Sequence, residues 1–146
     1  MPDRRESNDA AITAQLGALI EGIESADLDA LMRLYSADVV SFDVEPPLQH
    51  VGTAAKSKNW AKVFTFFEKP TYELRDLTLT VGQDVAFAHA FGRLGGTLRG
   101  GPTVTGMWVR ATFGFRKLDG VWLITHDQVS VPFDMSTGQG VTDLEP

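Results

Sequence analysis

Between Met107 and Asp134 the chain reads MWVRATFGFRKLDGVWLITHDQVSVPFD, two β-prone runs joined by Asp119-Gly120. Asp-Gly between alternating apolar residues predicts a two-residue type I′ turn, because both central positions need positive φ. Leu118 then faces Val121, Phe115 pairs with Ile124, Phe113 with His126, Ala111 with Gln128, and Val109 with Ser130. This register sends Trp122, Ile124, His126, Gln128 and Ser130 to one face. Leu123, Thr125, Asp127, Val129 and Val131 go to the other. A one-residue slip or a bulge would exchange the faces.

The rest of the chain is organised towards this hairpin. Residues 1–6 are polar and expected to be loose, with Ser7 or Asn8 as a helix cap. Ile12, Leu16, Leu19, Ile20 and Ile23 form a stripe at helical spacing. Gly17 inside it costs roughly 1 kcal/mol against alanine unless close packing requires it. Asp27 caps a second helix with Leu28, Leu31, Met32 and Tyr35 on its buried side. Val39–Val44 is a short strand ended by Glu45-Pro46-Pro47. Thr53 opens a third helix, where Trp60, Val63, Phe64 and Phe67 recur at i, i+3, i+4 and i+7 until Pro70. From Tyr72 the period becomes two. Strands are expected at Tyr72–Val81 and Val85–Leu98, the second with Phe87, His89, Phe91 and Arg93 on one side and Ala86, Ala88, Ala90 and Leu94 on the other. Helices first and antiparallel strands afterwards predict an α+β domain, three N-terminal helices on a curved, mostly antiparallel sheet enclosing a pocket. One domain spans 1–146, with a core over about 8–134 and an irregular tail over 135–146.

Composition excludes several function classes. A net charge of −6 provides no basic footprint for nucleic acid or an anionic membrane. The absence of cysteine removes disulfides, thiolate metal sites and cysteine nucleophiles. No run of about 18 apolar residues could span a bilayer, and the arginines near the N-terminus precede no hydrophobic stretch, so a cytoplasmic protein is expected. His50, His89 and His126 lack metal-site spacing, and neither a P-loop nor a GxSxG elbow occurs. No metal and no cofactor are therefore expected.

Three segments, ADLDALMRLYSADVVSFD, VGTAAKSKNW and the hairpin quoted above, in that order, resemble the nuclear transport factor 2-like superfamily. Within it the chain is similar to ketosteroid-isomerase homologues and SnoaL-like polyketide cyclases over roughly residues 10–134. The resemblance implies a cone-shaped fold with a central pocket and a homodimer through the sheet. It does not imply one reaction. In ketosteroid isomerase an aspartate base works beside a tyrosine and a protonated aspartate. Asp43 stands at the place of the base. Leu19 stands at the place of the tyrosine, and the second aspartate would lie near Ala111, so both oxyanion donors are missing.

The predicted register makes His126 and Asp43 the candidate acid–base pair, with Gln128 and Ser130 as neutral ligand donors beyond His126. A buried structural histidine and a turn aspartate are the competing explanations. Tyr35, Trp60, Phe64 and Trp108 could shape a pocket for a small planar molecule, and His89 could reach it from the next strand, yet packing accounts for them equally well. Three functions follow: cofactor-independent acid–base catalysis (isomerase, cyclase or hydrolase) on a small apolar or polyketide-like substrate, a non-catalytic pocket for such a molecule, or a dimeric association domain. An Asp43–His126 pair across a cavity favours the first, a cavity without it the second, and a cavity filled by Trp60, Phe64 and Trp108 the third.

Overall fold

The computed structural model describes residues 3–146. Its elements run α1 (Arg4–Glu24), α2 (Leu28–Met32), β1 (Tyr35–Phe42), β2 (His50–Val51), α3 (Thr53–Phe64), β3 (Phe67–Val81), β4 (Val85–Leu98), β5 (Thr103–Val104), β6 (Trp108–Leu118), β7 (Val121–Ser130), β8 (Phe133–Asp134) and β9 (Gln139–Gly140). The main sheet has the order β2-β1-β7-β6-β4-β3, with β5 beside β4. Its pairings are antiparallel except β1 with β7. This is the expected α+β class, helices packed on an open curved sheet.

The Asp119-Gly120 turn closes the β6–β7 hairpin with positive φ at both residues, and Leu118 faces Val121. The core beneath it is the buried stripe Ile12, Leu16, Leu19 and Ile23 of α1 packed with Ala86 and Ala88 of β4, Phe113 and Phe115 of β6, and Trp122 and Ile124 of β7. Trp122 is pinned as well as packed. Its indole Nε1 donates to Asn8 Oδ1 at 3.2 Å, and Gln15 Nε2 donates to its carbonyl at 2.6 Å. These bonds tie α1 to the indole and to the main chain of Trp122, so burial of the ring leaves its N–H satisfied.

Several boundaries differ from the sequence reading. Helix α1 starts at Arg4, before Ser7 and Asn8, and Asn8 is a buried acceptor rather than a cap. Met1 and Pro2 lie outside the described residues. Gly17 faces open space, so packing does not require it; Gly22 is the close contact, since a Cβ there would lie 2.8 Å from Leu31 Cδ2. Asp27 caps α2 as expected, accepting from the Ala30 amide at 3.0 Å. Tyr35 belongs to β1, not to that helix. Gly52 occupies the N-cap of α3, with Thr53 its first residue. That helix ends at Phe64, where Arg99 donates to its last carbonyl at 3.2 Å, and Phe67 already opens β3. Pro70 sits inside β3, at the end of the sheet order, where a missing amide is tolerated. The tail carries the two-stranded pair β8–β9 instead of being wholly irregular.

The largest difference is one residue. Phe115 pairs with Ile124, but the next pair is Gly114 with His126, leaving Thr125 unmatched. This β-bulge reverses every side chain beyond Ile124. Asp127 and Val129 face the helices with Phe113 and Ala111, while His126, Gln128 and Ser130 join the opposite face.

Candidate functional site

A cavity of about 290 Å³ lies between the helices and the sheet, at the small end of the range for ligand pockets. Most of its wall is apolar: Leu19, Val63, Leu94, Val109, Phe113 and Val129. Helix α3 presents Lys56, Asn59, Trp60 and Val63 to it, spaced i, i+3, i+4 and i+7 on one face. Strand β1 contributes Tyr35 and Ser41, and the following loop places Asp43, Val44 and Glu45 on the lining. Tyr72 comes from β3 and Asp127 from beyond the bulge in β7.

The polar groups are concentrated. Lys56 Nζ lies 3.0 Å from Asp127 Oδ2 and donates to Ser41 Oγ at 2.9 Å, while the Ser41 hydroxyl donates to Asp127 Oδ1. Lys56 and Asp127 are 5% and 7% exposed. A buried ion pair persists only where each charge is matched and hydrogen-bonded, and these three side chains satisfy that condition together. The ammonium also lies 5.4 Å from the centre of the Tyr35 ring and 5.7 Å from that of Trp60, placing two π-faces around the cation. Trp60 Nε1 donates to Tyr35 Oη at 3.3 Å. Burial first, and the Asp127 charge second, raise the Tyr35 phenol well above its ordinary pKa, against a smaller lowering from Trp60. Tyr72 is raised for the same reasons, burial first and then the charges of Tyr35 and Asp127.

Of the residues singled out from the sequence, Asp43, Tyr35 and Trp60 line the cavity. His126, Gln128, Ser130, His89, Phe64 and Trp108 do not. His126 is turned to the other face by the bulge, where its Nδ1 lies 2.7 Å from the Val40 carbonyl and its ring meets Phe42 edge-on at 4.8 Å. It does not share the cavity with Asp43, so the Asp43–His126 acid–base centre is corrected: the bulge turns this histidine to the Val40 carbonyl and the Phe42 ring. Gln128 is exposed beside Thr112, and His89 is exposed in the same cross-strand row. Ser130 Oγ accepts from Arg110 Nε at 3.1 Å. Trp108 is overlaid by the Arg93 guanidinium at 4.5 Å from its ring centre. Phe64 is buried in the core, stacked on Trp60 at 5.7 Å. Asp43 keeps its place at the cavity, its carboxylate accepting from the Val44 amide at 2.7 Å.

Lys56, Asp127, Ser41 and Tyr72 were missed. Lys56 did leave a signal, since it lies four residues before Trp60 on the stripe that marks the buried side of α3. A lysine on an apolar stripe needs a buried partner or a ligand. Asp127 left none, because the alternation placed it outward.

Residues 12–134 match the model of the SnoaL-like domain family. No curated protein matches the chain. Among solved structures, an NTF2-like protein of unknown function from Pseudomonas putida KT2440 is 28% identical, with 97% of this chain and 98% of that one covered at a TM-score of 0.85. A Streptomyces avermitilis protein of the NTF2-like family, provisionally named a dehydratase, is 21% identical over 86% of this chain and 97% of that one, with a TM-score of 0.74. An NTF2-like superfamily protein from Salmonella enterica serovar Typhimurium is 18% identical over 93% and 99%, with a TM-score of 0.78. The last two likenesses concern the fold alone. The chain belongs to the SnoaL-like domain family of the NTF2-like superfamily.

Proposed function

We propose that the cavity carries out cofactor-independent acid–base chemistry on a small, largely apolar, polyketide-like carbonyl compound, in an isomerase, cyclase or dehydratase type of reaction. The observation that supports this most is the Lys56–Asp127 pair on the wall of an otherwise apolar cavity. A preorganised cation in a dry site favours negative charge developing on a substrate oxygen far more than it would in water. Asp127 and Ser41 orient the ammonium by taking two of its directions, leaving a third N–H for the substrate. Asp43 is the proposed base, because its carboxylate lines the same cavity without a cation beside it among the described ion pairs. The provisional dehydratase name of the Streptomyces relative agrees with this chemistry, which requires a proton removed next to a carbonyl.

A second reading, a binding pocket without catalysis, is favoured by one observation: both oxygens of Asp127 are already engaged. Hydrogen–deuterium exchange next to the carbonyl of 1-indanone, followed by NMR, separates the two. Catalysis predicts exchange accelerated over buffer by about 100- to 10,000-fold, with the acceleration lost in Asp43→Asn. Saturable binding without accelerated exchange overturns catalysis and leaves the binding pocket. An association domain with a filled cone is the least supported, since neither Phe64 nor Trp108 enters the cavity.

The proposed partner besides the ligand is a second copy through the outer face of the sheet. Val129, which an unbulged register would put on that face, lines the cavity. Exposed Leu77, Val85 and Phe87 support it instead. Light scattering at about tens of micromolar, a range suited to a weak dimer, should return twice the 15.9 kDa chain mass; a single-chain mass sinks the dimer. No described helix is long and apolar enough to cross a membrane.

A further inference from the structure

Lys56 is the one buried lysine of the chain; Lys58, Lys62, Lys69 and Lys117 are all exposed. Burial of an ammonium is costly, and the local backbone does nothing to lessen the cost. Lys56 stands in the first turn of α3, the helix end at which the dipole disfavours a cation. Its side chain nevertheless reaches the wall of the cavity instead of being sealed behind it. An arginine could fill the ionic role with a fixed fork of donors. A lysine has what arginine lacks, a nitrogen that becomes a nucleophile on losing one proton.

The surrounding geometry suits that loss. Nζ lies 3.0 Å from Asp127 Oδ2 and 2.9 Å from Ser41 Oγ, and the Ser41 hydroxyl in turn donates to Asp127 Oδ1. A proton can pass from Nζ to Asp127 directly or through the hydroxyl, and it stays within the cluster. The transfer turns an ion pair into a neutral pair, a change that a largely apolar wall makes easier than water does. Tyr35 and Trp60 set π-faces 5.4 and 5.7 Å from Nζ, where they favour a cation on that nitrogen, ammonium or iminium alike.

We infer that Lys56 is a nucleophile that forms a Schiff base with the carbonyl carbon of the ligand. This rests on the reading of the cavity as a site for a small carbonyl compound and names the bond that holds it. Asp127 takes a proton from Nζ, and the freed lone pair forms the C–N bond while the carbonyl π-pair moves to oxygen. That oxygen receives the proton from Asp127. A second proton, passed from Nζ by the same route, lets the hydroxyl leave as water with its bonding pair, and the nitrogen lone pair closes the C=N bond. In sum, an ammonium and a carbonyl become an iminium and a water at unchanged charge. The iminium keeps an N–H and the positive charge beside Asp127, so the buried carboxylate is not left unpaired. As an electron sink it acidifies the neighbouring C–H, the proton assigned above to Asp43.

Two readouts on the full chain with 1-indanone test the Schiff base. Cyanoborohydride reduces an iminium to a stable amine, and mass mapping of peptides should find the adduct on Lys56 ahead of the four exposed lysines. In heavy-oxygen water, imine formation and hydrolysis replace the ketone oxygen, which enolisation alone does not do. The wild type should accelerate that replacement over buffer by about 100- to 10,000-fold, the range of positioned proton transfer. Lys56→Arg keeps the cation and removes the nucleophile, so adduct and oxygen replacement should both be lost; where that variant fails to fold, the two wild-type readouts decide. Deuterium exchange without oxygen replacement overturns the Schiff base while the acid–base reading of the cavity stands. Adducts on the exposed lysines with Lys56 unmodified overturn it too, as does oxygen replacement retained in Lys56→Arg. Absence of both exchanges removes the carbonyl reading and this inference with it.

Discussion

Asp127→Leu is expected to destabilise the fold by about 3–5 kcal/mol, measured by urea unfolding at unchanged m-value. The reason is asymmetric. The substitution removes one charge of a pair that is 5% and 7% exposed, and the remaining Lys56 ammonium stays in a largely apolar cavity wall without its carboxylate. Replacing the whole cluster should behave differently. In Lys56→Met/Asp127→Leu/Ser41→Ala no uncompensated charge remains, and Ser41 Oγ is removed along with the two groups that satisfied it. Buried ion pairs exchanged for apolar side chains of similar volume are commonly neutral or better, so most of the lost stability should return. Exchange chemistry should not return. A stable triple variant with an inert cavity would separate what holds the fold from what the pair is for. A cost below about 1 kcal/mol for Asp127→Leu would mean that the pair behaves as a solvated surface bridge, and it would sink the electrostatic argument.

The fold was legible because its strongest local signals agree with one another. The α1 stripe, the Asp119-Gly120 turn and the alternation of β4 between small buried alanines and larger outward residues each specify a face, and the faces meet in one core. Helix ends were less legible: the stripe Trp60, Val63, Phe64, Phe67 continues in spacing past the last helical residue, and spacing alone does not say where the backbone changes. The site was half legible. Asp43, Tyr35 and Trp60 come from segments whose placement needs no long-range register. Every residue assigned from the far half of β7 was placed on the wrong side, because one unmatched residue, Thr125, carries no mark in composition. Lys56 was hidden differently. Its place on the stripe four residues before Trp60 marks it as buried, but its neighbours Ala, Lys, Ser and Asn are those of a solvated turn, and an unbulged β7 turns its partner Asp127 away from it.

That dependence on register can be tested directly. Insertion of one alanine between His126 and Asp127 is expected to reverse the faces beyond it: the new residue meets Phe113, Asp127 meets Thr112, and Gln128 meets Ala111. Gln128 and Ser130 would then point at the cavity, and Asp127 and Val129 away from it. Lys56 would stay behind in the wall without its carboxylate, at a cost of about 3–5 kcal/mol by itself. Against a domain stability of about 5–15 kcal/mol, such a cost leaves the variant at the margin of cooperative folding. Deletion of Thr125 is the contrast. It removes the unmatched residue, so that His126 follows Ile124 and still meets Gly114, and Asp127 still meets Phe113. The bulge is gone, the faces are kept, and the side-chain bond lost is a long one, 3.4 Å to the Gly114 carbonyl. The deletion should cost about 1 kcal/mol and leave ligand binding intact. The contrast between the two variants is the prediction. If the insertion is as stable as the deletion in urea, strand β7 tolerates either register, and the cavity does not depend on it to bring Asp127 to Lys56.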